Sequence, residues 1–223
     1  ADDLLRQGDL GVVVDIGGGT SDFTVFQKGD AGILIKGSHG VQIGGTDFDR
    51  ALNLKFVMPS LGHGQSIRAP LTNRIIPAPN RVFLELATWE QIPFVYTPRT
   101  RTLVQELVRD AVAPAFFQRL LRVLDQRLGH EVAFLAERAK IETNTAFMDT
   151  QLDLGLLERG LTTELGRTAL DEAFATLAEA LATALYRTLT EAGIDGAAAT
   201  HVVPVGGASS MRPVRGAIAR VLP

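Results

Sequence analysis

The residues from Asp15 to Asp22 carry the clearest chemistry in this sequence. They read Asp-Ile-Gly-Gly-Gly-Thr-Ser-Asp, so that three glycines and a hydroxyl group lie between two carboxylates. Consecutive glycines let successive backbone N–H groups turn toward one anion without interference from Cβ atoms. The two carboxylates can hold a hydrated divalent cation beside that anion and orient a water molecule. The pattern indicates a phosphate site, and a glycine-rich turn with two solvated carboxylates is the alternative.

The flanking residues predict that this motif forms the tip of a β-hairpin. Val12 to Val14 form an apolar run typical of a buried strand, and Phe23 and Val25 alternate with polar neighbours as in a second strand. A dinucleotide-binding fingerprint or a P-loop would lead from a strand into a helix, and a P-loop would also carry Gly-Lys-Ser/Thr. The motif fits neither of these classes.

Two further glycine turns are expected at the starts of helices. Gly206-Gly207-Ala208-Ser209-Ser210 follows a predicted strand and precedes a predicted helix, whose N-terminus offers free N–H groups to a phosphate. A turn that only packs is the alternative. Gly44-Gly45 precedes Thr46 and Asp47, either of which can cap a helix, and standing alone this turn is simply an N-cap.

A fourth pattern lies on a predicted helix over residues 131–143. Glu137, Lys140, Ile141 and Asn144 have the spacing i, i+3, i+4 and i+7, which places them on one helix face. A carboxylate, an ammonium and an amide in one stripe can bind ribose hydroxyls and a purine edge, while the isoleucine offers apolar contact. Standing alone, such a stripe is more often a solvated helix face with an ion pair.

The bulk composition excludes several classes of protein. The chain has 223 residues and is 46% hydrophobic, as is ordinary for a globular protein. Its formal net charge is −3, whereas proteins that bind nucleic acid usually carry excess positive charge, so nucleic acid is not an expected partner. No apolar run is long enough to cross a bilayer, and Ala1 to Arg6 lack the layout of a signal peptide. The absence of cysteine fits a cytoplasmic protein, and the four histidines are too scattered to suggest a zinc site.

The order of the elements predicts an α/β core interrupted by a helix-rich insertion. We expect the core to comprise residues 1–45 and 159–223, and the inserted subdomain residues 46–158. Three strands at the start are joined by short connections, which favours an antiparallel meander. The expected elements are strands at 11–16, 22–27, 32–37, 147–154 and 201–205, helices ending near 56 and 221, helices at 82–91, 101–128, 131–143 and 167–192, and an irregular stretch at 58–81. Pro114 is expected to kink or split the helix over 101–128.

Taken together and in this order, the motifs resemble the nucleotide-binding domain of the DnaK-type heat-shock chaperones, which belong to the actin-like ATPase superfamily. The segment from Asp15 to Asp22 resembles the second phosphate motif of that family, and Gly44-Gly45-Thr46-Asp47-Phe48-Asp49 resembles its Gly-Gly-Glu-Asp-Phe-Asp segment. Ala136 to Glu142 is similar to its adenosine-contacting helix, and Val205 to Ser210 to its final adenosine motif. The stretch over 57–130 looks more like the YegD-type branch.

The resemblance implies a ribonuclease-H-like core and a set of roles for the motif residues. The implied catalytic residues are Asp15, Asp22 and Thr20, with the two aspartates also beside Mg²⁺ and its water. The implied contacts with ATP or ADP come from Gly17, Gly18, Gly19, Thr20, Gly44, Gly45, Glu137, Lys140, Asn144, Gly206, Gly207 and Ser210. Two departures weaken the match: Thr46 replaces the usual glutamate of the family, and Ser210 replaces an arginine that stacks on adenine.

The resemblance covers only the second lobe of that domain, subdomains IIA and IIB. In the superfamily ATP lies between two lobes, and no first phosphate motif precedes residue 11 in the printed sequence. We therefore expect this chain to bind nucleotide without hydrolysing it, with the first lobe, a client polypeptide or a co-chaperone as partners. The alternatives are a lobe of an actin-like filament or scaffold protein, a degenerate nucleotide-binding module and, ranked lowest, a small-molecule kinase.

Overall fold

The computed structural model describes residues 5–145 and 149–223 and has a mixed α/β fold. Contacts between residues divide the chain into two units, the first comprising Ala1–Phe48 and Phe174–Pro223 and the second Asp49–Ala173. The sequence had suggested boundaries at 45/46 and 158/159. In the structure both boundaries fall inside helices, α1 (Gly45–Leu52) and α8 (Arg167–Glu191). The sequence shows no domain boundary at these points, because each helix continues across the boundary without a glycine- or proline-rich linker.

The first unit is built on a four-stranded mixed sheet with the order β3-β2-β1-β8. Its strands are β1 (Leu10–Ile16), β2 (Ser21–Gly29), β3 (Gly32–Val41) and β8 (His201–Val205). The first three form the predicted antiparallel meander, while β8 pairs with β1 in parallel. After β8, a 3₁₀ turn (Gly207–Ser210) leads into α9 (Arg212–Val221). The carboxyl ends of β1 and β8 therefore lie at the same edge of the sheet.

One face of this sheet forms the core of the first unit. Val12, Val14 and Ile16 alternate along β1 and are fully buried, and Phe23 of β2 is buried opposite Val14. This alternation is the period-2 pattern of a strand with one face on a core. The unit also buries Phe48, whose ring meets that of Phe174 edge-on, with 5.3 Å between the ring centroids.

The second unit is mostly helical. Its labelled helices are α2 (Met58–Leu61), α3 (Arg81–Ala87), α4 (Ile92–Val95), α5 (Pro98–Asp110), α6 (Pro114–Gln126) and α7 (Gly129–Thr145), and its strands are β4 (Ser66–Arg68), β5 (Ile75–Pro77), β6 (Thr150–Asp153) and β7 (Thr162–Leu165). Phe83 and Phe117 are among its fully buried side chains. Pro114 splits the predicted helix over 101–128, because it occupies the first turn of α6, where a missing N–H group has no cost.

Several elements of the second unit differ from the sequence prediction. The stretch over 58–81 is not irregular, since it contains α2 and the antiparallel pair β4–β5. Two helices end earlier than the sequence predicts: α1 gives way to a π-helix (Asn53–Val57), and α3 is followed by a 3₁₀ turn (Trp89–Gln91). The strand β7 was not predicted. These elements are too short to show a period. The predicted strand over 147–154 is described only from Thr150 to Asp153, because residues 146–148 lie outside the described residues.

No helix in the described part of the chain is long and apolar enough to cross a membrane. The sequence predicts no signal peptide at the N-terminus, and Ala1 to Leu4 of that segment lie outside the described residues.

Candidate functional site

The glycine motif forms the tip of the β1–β2 hairpin, as the sequence predicts. The N–H of Gly17 donates to the carbonyl of Thr20 at 2.9 Å, which closes a loop with Gly18 and Gly19 at its tip. Gly18, Gly19 and Thr20 are exposed. The N–H groups of Gly18 and Gly19 form no hydrogen bond with any residue that the structure describes. The tip thus presents two unpaired donors to an incoming anion.

The hairpin itself does not require glycine at positions 18 and 19. Neither residue adopts a positive φ, and a Cβ atom added to either would lie in open space. Glycine at both positions instead keeps the backbone uncovered, so that a ligand can approach the N–H groups closely. This local geometry favours the phosphate interpretation over a turn that only connects two strands.

A second glycine turn packs directly against the hairpin tip. The N–H of Gly45 donates to the carbonyl of Gly17 at 2.9 Å, and Thr46 donates to the carbonyl of Gly18 through its N–H at 2.8 Å and its hydroxyl at 3.0 Å. A Cβ atom on Gly44 would lie 2.5 Å from the carbonyl oxygen of Gly18, so only glycine fits this approach. The turn therefore fixes the carbonyl side of the tip and leaves its donors exposed.

The N-cap prediction for this turn was wrong by two residues for Thr46 and by three for Asp47. The helix α1 begins at Gly45, so Thr46 and Asp47 lie in its first turn and Gly44 takes the capping position. The carboxylate of Asp47 accepts a hydrogen bond from the N–H of Gly44 at 2.9 Å, which is the reverse half of a capping box. The helix starts earlier because hydrogen bonds to the hairpin hold the glycines in place.

The third glycine turn lies at the same edge of the sheet. Val205 at the end of β8 is opposite Asp15 of β1, and Gly206 follows immediately. Gly206 has a φ of 79°, and a Cβ atom there would overlap the carbonyl oxygen of Ile16 and lie 3.3 Å from the Oδ1 of Asp15. The hydroxyl of Ser209 donates to the carbonyl of Gly206 at 2.7 Å. Three turns distant in sequence thus meet around the end of β1.

The two predicted metal-binding carboxylates are directly opposite each other. Asp15 and Asp22 are Cα partners in the β1–β2 ladder, so their side chains lie on the same face of the sheet. Neither carboxylate forms a hydrogen bond or an ion pair with the described residues. Like charges in such a pair are unfavourable, and a cation beside them relieves the repulsion. The pair fits Mg²⁺, which takes one or two carboxylates and completes its shell with water and phosphate oxygens.

The predicted adenosine stripe lies on α7, in the second unit. Glu137, Ile141 and Asn144 are exposed, but Lys140 forms an ion pair in which its Nζ lies 2.7 Å from Oδ1 of Asp49. Burial raises the pKa of Asp49 above its ordinary value, the hydrogen bond and charge of Lys140 lower it, and the charge of Glu137 raises it. Lys140 therefore has a structural role that the sequence did not reveal, because no local pattern connects residues 49 and 140.

The first unit contains the three glycine turns and the two aspartates that the sequence predicts as site residues. Glu137, Lys140 and Asn144 belong to the second unit. Within the first unit, the hydroxyl of Ser210 donates to the carbonyl of Gly207 at 2.8 Å. The sequence did not reveal the hydrogen bond from the Thr46 hydroxyl to the carbonyl of Gly18. The position of Thr46 directly after two glycines is the signal available for it. Among the described residues there is no group of three or more side chains able to hold a metal ion.

No family model matches this chain. The interpretation of the site therefore depends on the geometry of the three turns and on the residue pattern.

Proposed function

We propose that this chain is the ATP-binding second lobe of a DnaK-type chaperone ATPase, with an actin-like ATPase core in its first unit. The observation that carries the proposal is the meeting of three glycine turns at the carboxyl end of the parallel pair β1 and β8. Open α/β sheets bind ligands in the crevice outside the carboxyl ends of their strands. Unpaired N–H groups and unpaired carboxylates at one edge suit an anion that carries a divalent cation.

The proposed roles follow from what each residue exposes. The N–H groups of Gly18 and Gly19, with the hydroxyl of Thr20, bind the β- and γ-phosphates. Asp15 and Asp22 hold Mg²⁺ and its water molecules. When bound, Mg²⁺ neutralises phosphate charge.

The glycine turn after β8 contributes further contacts with the nucleotide. Within the first unit, Gly206 and Gly207 line the rest of the nucleotide. Client polypeptides and co-chaperones are the partners that such an ATPase would serve.

Binding of Mg²⁺-ADP to the purified chain tests this proposal. We expect calorimetry to detect binding, and Gly18→Ala to weaken it at least tenfold because the added methyl group covers the donors of the tip without disturbing the hairpin. Asp15→Asn should weaken binding only when Mg²⁺ is present. Gly216→Ala is the matched control, since its Cβ atom would also lie in open space but on α9. No heat of binding from the wild-type chain would support a degenerate module instead.

We expect the purified chain not to hydrolyse ATP at a measurable rate. Phosphoryl transfer requires the cation, the water and the γ-phosphate to be clamped from all sides, because positioning and electrostatics supply most of the acceleration. The described residues contribute one carboxylate pair and one set of N–H donors to such a clamp. Release of phosphate that depends on Mg²⁺ and disappears in Asp15→Asn would contradict this expectation.

A further inference from the structure

A cavity of about 650 Å³ lies within the second unit, between α3 and α5. Its apolar lining comprises Val82 of α3, which is buried, Leu103 of α5, which is half-buried, and Phe94 of α4. Phe94 is 76% exposed, although burial of an aromatic ring of this size is favourable. The cavity therefore offers a ligand an apolar surface that includes one accessible aromatic ring.

Two charges of opposite sign line the cavity along α5. They belong to Arg99 and Glu106, and neither side chain forms a hydrogen bond or an ion pair with the residues that the structure describes. Arg109, about one turn beyond Glu106, is bound to Asp110 by two hydrogen bonds of 2.8 and 2.9 Å. Arg99 and Glu106 are seven residues apart in sequence, so they lie on the same face of the helix, about 10 Å apart along its axis. The cavity thus has a positive end and a negative end.

The other polar groups of the cavity suit a ligand that lies between those two ends. On the α3 side, Arg81 and Glu85 bind each other at 2.6 Å, so this wall carries no net charge. Thr102 lies between Arg99 and Glu106 along α5, and its hydroxyl forms no hydrogen bond with the described residues. A hydroxyl can both donate a hydrogen bond to an amide group and accept one from it.

A ligand that matches these groups has a carboxylate and an ammonium about 10 Å apart, with amide groups between them. An extended chain spans about 3.3–3.6 Å per residue, so a tripeptide has this length. We propose that this cavity binds an extended tripeptide with free termini, with its carboxylate on Arg99 and its ammonium on Glu106. The planar fork of an arginine binds a carboxylate through two parallel hydrogen bonds.

The position of Phe94 adds a preference for the last residue of the tripeptide. Phe94 lies four residues before the start of α5, nearer to Arg99 than to Glu106 along the chain. Its ring therefore contacts an apolar C-terminal side chain. The volume of the cavity lies within the range of small-molecule sites. This site is independent of the proposed phosphate site, whose glycine turns lie in the first unit.

Calorimetric titration of the full chain with the peptide Ala-Ala-Phe at pH 7 tests the proposal. We expect the wild type to bind it, and amidation of its carboxylate or acetylation of its ammonium to weaken binding at least tenfold each, since charge-assisted hydrogen bonds are lost. Arg99→Gln should weaken binding to the same extent and should no longer distinguish the amidated peptide from the free acid. Glu106→Gln should likewise no longer distinguish the acetylated peptide from the free amine.

The matched control is Arg101→Gln. Arg101 is on the same helix but is paired with Asp125 of α6 at 2.7 Å and does not line the cavity, so this variant should bind Ala-Ala-Phe as the wild type does. Arg99 and Glu106 are exposed, and the variants at these positions are expected to fold. The proposal would be overturned if the wild type failed to bind Ala-Ala-Phe or bound the amidated and acetylated peptides equally well. Equal losses in Arg99→Gln and Arg101→Gln would also overturn it.

Discussion

Replacement of Gly206 by alanine is expected to destabilise the first unit by about 3 kcal/mol, the largest effect of any single methyl group at the candidate site. Gly206 has φ 79° and ψ 150°, a region that is essentially restricted to glycine. The added Cβ atom would also overlap the carbonyl oxygen of Ile16, which belongs to the backbone and cannot rotate away. Both penalties act on the contact that joins the end of β8 to the end of β1.

Urea denaturation followed by far-ultraviolet circular dichroism measures this effect. Gly207→Ala is the matched control, because the neighbouring glycine has no positive φ and its Cβ atom would meet nothing within 4 Å. We expect the control to unfold within about 0.5 kcal/mol of the wild type, as is usual for substitutions without a named conflict. Equal stability of the two variants would show that β8 does not approach β1 as described.

Replacement of Lys140 by methionine is expected to destabilise the second unit by about 2 kcal/mol at pH 7. The side chains of Lys140 and Asp49 are 12% and 21% exposed, so removing the ammonium leaves a largely desolvated carboxylate without its cation. The double variant with Asp49→Leu should recover most of the loss, because a mostly buried ion pair is often replaced by apolar side chains at little cost. Trp89, the single tryptophan of the chain, lies in this unit and reports its unfolding by fluorescence.

The destabilisation should depend on pH in a defined direction. In the wild type, the pKa of Asp49 is raised by burial despite the opposing influence of Lys140. Without Lys140 the pKa rises further, so the folded variant binds a proton more tightly than the unfolded chain does. The stability of the variant therefore falls as the pH rises from 3.8, the ordinary pKa of the group, through its folded value. The deficit relative to the wild type should be smaller at pH 4 than at pH 7.

The matched control for this pair is Lys55→Met. Lys55 forms an ion pair with Glu172 at 3.0 Å in the same unit, but the two side chains are 39% and 65% exposed. Exposed ion pairs contribute about 0–1 kcal/mol, so this variant should unfold close to the wild type at both pH values. A loss in Lys140→Met no larger than that of the control would show that Asp49 is solvated rather than dependent on Lys140.

Local patterns in the sequence were sufficient for the elements that long or regular runs define. Alternation along Val12–Val14 and around Phe23 predicted the β1–β2 hairpin, and leucines three or four residues apart predicted the long helix α8. The position of the glycines at the hairpin tip was also predictable, because only residues 17–20 separate the two strands and must form the turn. Short elements such as β4, β5 and β7 could not be predicted, since pairing with a partner strand stabilises them and their own sequence does not.

The sequence by itself determined which groups are available for chemistry: two aspartates around a glycine tip, two further glycine turns and a polar stripe on α7. Only the tertiary structure decided which of them meet. Parallel pairing of β8 with β1 brings Gly206 to Asp15, and hydrogen bonds from Gly45 and Thr46 seat the second turn on the hairpin. The structure also pairs Lys140 with Asp49. Such contacts depend on the packing of a whole core, whose free energy is spread over many residues distant in sequence, so no local pattern encodes them.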